Sequence, residues 1–263
     1  MHIAIDDTYG PEIGTDSSFV TGDRRTHVAV LFPDEDVQDI RNQITGCLEE
    51  VFNLTGVAAK EFHFVDIYQR NLPWNTLQNG QNLEFFKFFA SIYEHYSWPV
   101  FIQTIDTRTL RDHGIDHFAG VVEGLDLSNP ADLSLLLLLI KIKNRYKDRP
   151  MPITLLLDEG SAKPGRAFGA KIFHNWPKPY NGVYASSSNE PLLQLADFIA
   201  FCINRSTHLS LKSNRTDTDT WFLNLVSGMG INCDDLKLHN LPKNFSVADF
   251  DKLHLQDRTA KGL

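Results

Sequence analysis

The succession of strand-like and helix-like segments limits the fold of this chain more than any single motif does. Three short β-type segments come first, over 3–6, 18–21 and 26–32, with a turn over 7–11, and their spacing predicts an antiparallel meander. Helix-like and strand-like segments then alternate. We predict helices over 34–52, 83–96, 130–146 and 190–205, and strands over 98–106 and 152–157. This order predicts an α/β fold in which a mixed sheet combines a meander with alternating strands and helices.

The pattern weakens after about residue 206. A polar stretch over 208–220 is followed by one short helix-like segment, 221–226. A segment of this length is too small to bury a large core of its own. We therefore predict one domain over 1–206 and a C-terminal appendage over 207–263 that packs on it.

Composition narrows the class of protein. The 263 residues are 42% hydrophobic and 22% charged, which is typical of a globular protein and excludes collagenous, coiled-coil and disordered chains. The longest apolar run, 135–140, is far shorter than the roughly 20 residues that a membrane span needs. The first residues lack a basic segment before an apolar one, and the three cysteines form no CxxC pair. We expect a cytoplasmic protein with no membrane partner, no disulfide framework and no cysteine-built zinc site.

The net charge is negative, with 33 acidic against 25 basic residues, or −8 with neutral histidines. This charge argues against a protein that binds nucleic acid through overall positive charge. Two interpretations of the acidity remain open. The carboxylates form a solvated surface, or some of them gather for metal chemistry.

Four carboxylates recur at the edges of apolar segments: Asp6, Glu61, Asp158 and Asp197. Carboxylates that converge at such an edge repel one another unless a cation or a shared proton neutralises them. An oxygen-rich site of this kind suits Mg²⁺ or Mn²⁺. The alternative for each aspartate is a turn or capping role, which is common at strand ends.

The last predicted helix has a polar stripe. Glu190, Gln194, Asp197 and Phe201 fall at helical spacing on one face. Apolar neighbours flank the stripe, which predicts that Asp197 points toward a pocket and that Gln194 contacts substrate there.

Three motifs occur in the order of a known family pattern: Ile-Ala-Ile-Asp-Asp-Thr over 3–8, Leu-Leu-Leu-Asp-Glu-Gly over 155–160, and Pro-Leu-Leu-Gln-Leu-Ala-Asp over 191–197. They resemble the bacterial and phage family called domain of unknown function 3800, over roughly residues 1–206. The resemblance implies a ribonuclease H-like fold with a metal-dependent nuclease site. It implies that the family's acids correspond to Asp6, Asp158 and Asp197, with Glu61 at a more variable position.

One position departs from the family pattern. The family's first motif usually reads Ile-Asp-Glu-Ser, whereas Asp7 and Thr8 follow Asp6 here. Adjacent strand residues face opposite sides, so we do not expect Asp7 to replace a ligand.

The segment over 161–189 is positively charged, whereas the whole chain is negatively charged. It contains no acid, and aromatic residues alternate with the basic side chains Lys163, Arg166, Lys171 and Lys178. Such a segment can guide a nucleic-acid backbone and stack bases, or it can be an exposed loop whose aromatic rings lie in the core. His63, two residues after Glu61, either assists proton transfer, binds a substrate phosphate, or is an ordinary partly buried histidine.

These features lead to one main hypothesis and two alternatives. The main hypothesis is a Mg²⁺- or Mn²⁺-dependent phosphodiester hydrolase, a nuclease that binds metal through Asp6, Glu61, Asp158 and Asp197. This hypothesis does not decide whether the substrate is RNA or DNA, and it does not give the oligomeric state. The alternatives are an inactive ribonuclease H-like module that binds nucleic acid or protein, and a glycoside hydrolase with two carboxylates and no metal.

Overall fold

The structure is a computed structural model that describes residues 1–9, 16–116, 118–236, 242 and 244–263. Its centre is a five-stranded mixed sheet in the order β3-β2-β1-β6-β7. The strands are β1 His2–Tyr9, β2 Arg25–Phe32, β3 Val100–Ile105, β6 Ile153–Asp158 and β7 Tyr180–Ala185; a separate hairpin joins β4 Val121–Val122 to β5 Leu125–Asp126. The mixed α/β class predicted from the sequence is confirmed.

The sheet has an antiparallel half and a parallel half. Strand β2 is antiparallel to both of its neighbours, β1 and β3. Strands β1, β6 and β7 run parallel, and Ile5 of β1 pairs with Leu157 of β6. Because Asp6 and Asp158 directly follow this pair, the register brings the two aspartates to the same level on neighbouring strands.

Helices cover both faces of the sheet. The helices are α1 Val37–Thr55, α2 Phe64–Gln69, α3 Gln81–Tyr96, α4 Thr107–Asp112, α5 Pro130–Tyr146, α6 Pro191–Leu211, α7 Asp217–Met229 and α8 Val247–Ala260. Helix α6 packs with α1 and α3 on one face, where Ala4, Val28 and Val30 are buried. Helix α5 packs on the other face, against Ile3 and Ile5.

The two faces separate Asp6 from Asp7. Strand residues alternate between faces, so Asp6 shares the α6 face with Ala4, while Asp7 shares the α5 face with Ile5. Asp7 lies directly opposite His27 of β2. Only Asp6 can therefore reach a site formed with α6.

Helices α5 and α6 each begin with a proline, and the side chain before that proline caps the helix. Helix α5 begins with Pro130 after Asn129, whose side chain accepts a hydrogen bond from the Ala131 N–H. Helix α6 begins with Pro191 after Glu190, whose side chain accepts from the Leu192 N–H. The segment over 186–189 is rich in serine, a residue favoured at helix N-caps, but it does not cap α6.

Three other sequence predictions differ from the structure. Residues 18–21 form turns and bends, and the third strand of the antiparallel set is β3, which comes after α1–α3. Strand β3 takes this place and buries Val100 and Ile102 beside β2, whereas 18–21 has only two adjacent apolar residues between Ser18 and Thr21. The turn predicted over 7–11 starts later, since β1 extends to Tyr9; residues 10 and 11 lie outside the described part. Helix α6 also extends beyond residue 205, to Leu211.

The C-terminal segment contributes two helices with different contacts. Phe222 of α7 is fully buried and packs against Tyr68, Phe86 and Phe201. Helix α8 has no buried residue. Its polar side chains form hydrogen bonds with residues of other segments; the Asp251 carboxylate, for example, accepts one from the Ser17 hydroxyl. Within the described ranges, no helix is long and apolar enough to cross a membrane.

Candidate active site

Two of the four predicted acids come from neighbouring parallel strands. Asp6 lies on the α6 face of β1, and Asp158 is the last residue of β6. Both are partly buried. The parallel register therefore produces a pair of carboxylates at one level of the sheet, although only Asp158 ends its strand and β1 continues past Asp6 to Tyr9.

The other two acids are joined by contacts between α6 and the segment before α2. Asp197 of α6 accepts a hydrogen bond from the Phe64 N–H at 3.0 Å. Gln194, one turn earlier, accepts from the Phe62 N–H at 3.0 Å. These two bonds hold residues 61–64 against α6, and Glu61 is the first residue of this segment.

Asp6 is surrounded by other carboxylates. Burial raises the pKa of Asp6 well above its ordinary value, and the charges of Asp197 and Asp7 raise it further. Asp158 adds to the same effect. Like charges this close oppose ionisation unless a counter-charge is supplied.

Asp197 shows the same perturbation. Burial raises its pKa to about 6, although His63 and the Phe64 N–H oppose the rise. Asp158 and Glu61 add to it. Asp197 therefore interacts electrostatically with each of the other three predicted acids, since it also raises the pKa of Asp6.

Asp158 has a carboxylate oxygen with no hydrogen-bond partner. Its Oδ1 is buried and makes no hydrogen bond within the described chain. Burial raises the pKa of Asp158, and Glu159 and Glu61 raise it further. A buried, unpartnered carboxylate oxygen is costly in the free protein and is available as a ligand for a cation.

The donor set fits a hard divalent cation in kind, since four carboxylates supply only oxygen ligands. The orphan Oδ1 of Asp158 and the raised pKa of Asp6 and Asp197 are the features that a bound cation would relieve. In the described part of the chain, however, no three His, Cys, Asp or Glu side chains are arranged to hold one ion. The acids are gathered but do not form a closed coordination shell.

His63 lies at the rim of this acidic cluster. Its side chain is about half exposed, and its Nδ1 lies 2.7 Å from Asp66 Oδ2. Burial lowers the pKa of His63, but Asp197 and Asp66 more than offset this, so the pKa is raised overall. An exposed imidazole that favours its charged form can contact an anionic substrate.

Gln194 has a different environment from the one predicted. Its side chain is almost fully buried, and its amide bonds the Phe62 N–H and the Ser187 carbonyl. Both ends of the amide are therefore occupied by backbone groups. This arrangement makes Gln194 a structural part of the site, in place of the substrate contact predicted from its helical position.

The basic segment after β6 divides into two parts. The Gly165 N–H donates to the Tyr184 carbonyl, so Lys163 and Arg166 lie beside the end of β7 that is level with Asp158. Lys178 precedes the other end of β7, and the Lys171 N–H bonds Glu123 in the β4–β5 turn. All four basic side chains are exposed. The backbone of Lys163 and Arg166 lies at the acidic end of β7, but the Arg166 guanidinium lies near Gly124 in the β4–β5 turn.

The aromatic rings of this segment face inward. Phe168, Phe173 and Tyr184 are buried in the core under α5. Trp176 and Tyr180 pack on the same cluster and donate hydrogen bonds to backbone carbonyls. These rings are thus engaged by the protein, which agrees with the alternative interpretation of this segment.

Sequence reasoning missed the serines before α6. The Ser187 hydroxyl donates to Glu61 Oε2, and the Ser186 hydroxyl donates to Glu159 Oε1 at 2.5 Å. Their only sequence signal is a run of three serines between β7 and α6, which also predicts a helix cap. The cap is made by Glu190 instead, and this leaves the serines free to bond the acids.

No protein-family model matches this chain, and no curated protein matches it either. The resemblance to the family called domain of unknown function 3800 therefore depends on the three motifs alone.

Proposed function

We propose that this protein is a metal-dependent phosphodiester hydrolase that acts on nucleic acid, with a ribonuclease H-like fold related to the domain of unknown function 3800 family. One observation carries the proposal. Asp6, Asp158 and Asp197 come from two strands and one helix, and each lies where burial and other carboxylates raise its pKa. A protein maintains such a cluster at a cost, which a bound cation removes.

The four acids would hold Mg²⁺ or Mn²⁺ as carboxylate ligands, namely Asp6, Glu61, Asp158 and Asp197. A bound divalent cation supplies a more acidic water molecule and an electrostatic partner for the phosphate group. The protein's part is to place the carboxylates, to keep His63 charged beside them, and to limit their contact with bulk water. The raised pKa of His63 supports a role as a phosphate contact rather than as a base.

The sheet supports the fold assignment. An antiparallel set, β1 to β3, is extended by two strands parallel to β1, namely β6 and β7. Helices α4 and α5 lie between β3 and β6, and a 3₁₀ turn lies between β6 and β7. The sequence predicts a ribonuclease H-like mixed sheet, although its third antiparallel strand is β3 and not the predicted segment 18–21. The acids Asp6 and Asp158 lie on neighbouring strands of this sheet.

The charge around the site supports an anionic polymer as substrate. Lys163 and Arg166 are exposed beside the end of β7 that is level with Asp158. Exposed cations next to an acidic metal site can bind phosphates that flank the scissile one. Because the aromatic rings of this segment are buried, backbone contacts are favoured over base stacking.

Calorimetric titration with Mn²⁺ tests the metal site. We expect binding by the wild type and a large loss of affinity in Asp158→Ala. Glu94→Gln, which removes an exposed acid on α3, is the control and should bind as the wild type does. Absence of binding by the wild type, or equal binding by Asp158→Ala, would defeat the metal-site proposal.

Cleavage of labelled single-stranded and duplex DNA, RNA and hybrids, with and without Mn²⁺, tests the activity. We expect cleavage that depends on Mn²⁺ and is lost in Asp6→Asn. Cleavage that survives in Asp6→Asn contradicts the assignment, and glycoside hydrolysis that survives EDTA supports the two-carboxylate alternative.

The inactive binding module remains a second candidate because of the residues that follow Asp6. Asp7 faces α5 and lies opposite His27, so the position after Asp6 adds no acid to the cluster. Binding of Mn²⁺ and nucleic acid without cleavage of any tested substrate would favour this candidate.

A further inference from the structure

Ser187 connects two acids that come from distant parts of the chain. Its hydroxyl donates a hydrogen bond to Glu61 Oε2. Its backbone N–H faces the Asp158 carboxylate and opposes the rise in the pKa of that group. One residue thus supplies a donor to Glu61 and a favourable dipole to Asp158.

Gln194 holds Ser187 in this position. The Gln194 Nε2 donates to the Ser187 carbonyl at 2.7 Å, while its Oε1 accepts from the Phe62 N–H at 3.0 Å. The amide is only 1% exposed. The backbone beside Glu61 and the backbone of Ser187 are therefore anchored to the same buried side chain, and the Ser187 hydroxyl completes the connection to Glu61.

This connection matters because Glu61 does not lie on a strand or a helix. Residues 57–63 have no regular secondary structure, and α2 begins only at Phe64. The sheet positions Asp6 and Asp158, and α6 positions Asp197. Glu61 needs other contacts to keep its carboxylate near theirs.

We propose that Ser187, anchored by Gln194, is a positioning residue that holds the Glu61 carboxylate beside Asp158 for a shared divalent cation. The proposal rests on the proposed function, since it concerns the same acids. Partners that hydrogen-bond a metal-ligating carboxylate orient it, and their loss typically lowers metal affinity by roughly 10- to 100-fold. The hydroxyl of Ser187 acts on Glu61 and makes no contact with the cation.

Variants of the serine run test this role. We expect Ser187→Ala to lower the affinity for Mn²⁺ by about tenfold in calorimetry, and Ser187→Thr, which keeps a hydroxyl, to restore most of it. Ser188→Ala is the matched control, because the Ser188 hydroxyl contacts only the Ser186 hydroxyl among the described groups. Thermal unfolding of each metal-free variant shows whether a loss of affinity reflects general destabilisation.

A measurement on the metal-free protein tests the anchor separately. We expect Gln194→Met to increase hydrogen exchange at the Phe62 N–H, while the Phe64 N–H, bonded to Asp197, stays protected. Equal increases at both sites would show general loosening and would contradict a specific anchor.

The outcomes separate this proposal from the proposed function. Wild-type affinity for Mn²⁺ in Ser187→Ala, together with loss of binding in Asp158→Ala, overturns the positioning role and leaves the metal site intact. Equal losses in Ser187→Ala and Ser188→Ala also overturn it. Absence of Mn²⁺ binding by the wild type defeats the proposed function and this role with it.

Discussion

Asp6 lies in surroundings that oppose its ionisation. Its pKa is raised well above the ordinary value of 3.8, first by burial and then by the neighbouring carboxylates. The folded protein therefore binds this proton more tightly than the unfolded chain does. Folding is favoured most when the pH is below the unfolded value, and this contribution is lost as the pH rises through the folded pKa.

The first prediction follows from the upward shift of the Asp6 pKa. We expect Asp6→Asn to raise the thermal unfolding midpoint of the metal-free protein at pH 7.5 by at least about 2 °C, since 1 kcal/mol shifts a domain of this size by roughly that much. The amide keeps an acceptor oxygen and removes the charge. The difference in unfolding midpoint between Asp6→Asn and the wild type should become smaller toward pH 4, because Asp6 is then protonated in the folded wild type.

Circular dichroism melts of both proteins across this pH range measure the effect. Glu94→Gln, which removes an exposed charge on α3, should change the midpoint little at any pH. A midpoint for Asp6→Asn that is equal to or below that of the wild type at pH 7.5 would show that Asp6 does not carry an unfavourable charge.

Helix α6 supplies Asp197, and its Gln194 and Asp197 bond the segment that carries Glu61. The placement of α6 therefore affects two of the four acids. Its first turn is held by Glu190, which caps the helix through the Leu192 N–H and forms a two-bond ion pair with Arg41 of α1. The Glu190 side chain is only 13% exposed. Charged hydrogen bonds in such partly buried surroundings contribute more than surface ion pairs do.

The second prediction concerns this pair. We expect Glu190→Ala to lower the free energy of unfolding by about 1–2 kcal/mol, because it removes the cap and leaves Arg41 unpaired. Urea denaturation measures the change. In the comparable but exposed pair of α3, Glu84→Ala should cost less than about 0.5 kcal/mol, since both of its side chains lie in solvent. Equal costs for the two substitutions would contradict the special role of Glu190.

At the scale of the whole molecule, charge is distributed unevenly. The net charge of −8 includes acids gathered at one level of the sheet, while exposed basic side chains follow β6. Of these basic residues, Lys163 and Arg166 have their backbone beside the acidic end of β7, although the Arg166 guanidinium lies near Gly124. The Lys171 N–H bonds Glu123 in the β4–β5 turn, and Lys178 precedes the other end of β7. An anionic polymer is therefore expected to bind mainly at the acidic end.

The third prediction compares two pairs of substitutions with the same change in charge. We expect Lys163→Ala with Arg166→Ala to weaken binding of a single-stranded oligonucleotide. The slope of log affinity against log salt should fall by about 1.4, or roughly 0.7 for each phosphate that the protein no longer neutralises. Lys171→Ala with Lys178→Ala should have much less effect. Fluorescence anisotropy at several salt concentrations, in an Asp6→Asn background that prevents cleavage, measures both.

Equal effects of the two pairs would indicate that only overall charge matters and would contradict a directed path. Strengthened binding in the first pair would remove the substrate assignment for these residues.

The positions of Asp6 and Asp158 follow from local patterns. An alternating or apolar segment predicts a strand and the side of it on which each residue lies. The pattern gives the end of β6 at Asp158, but β1 continues past Asp6 to Tyr9. Helical spacing in the same way predicts that Gln194 and Asp197 share a face of α6. Such regularities involve residues only a few positions apart, so one sequence is enough to recognise them.

The contacts around Glu61 could not be predicted in this way. The Ser187 hydroxyl bonds a residue 126 positions away, and Gln194 bonds a residue 132 positions away. No periodicity relates residues at such separations. The order of the strands also depends on which apolar faces pack together, which is why β3, and not the nearer 18–21 segment, pairs with β2.

The sequence by itself determined the mixed α/β class, most helix and strand positions, and the four acids that could share a site, because burial imposes a local period on strands and helices. Only the tertiary structure decided the register that sets Asp158 beside Asp6, and the buried Gln194 amide that anchors Ser187 and the Phe62 N–H, next to Glu61. These features depend on which elements pack together, and the free energy of the whole core determines that packing.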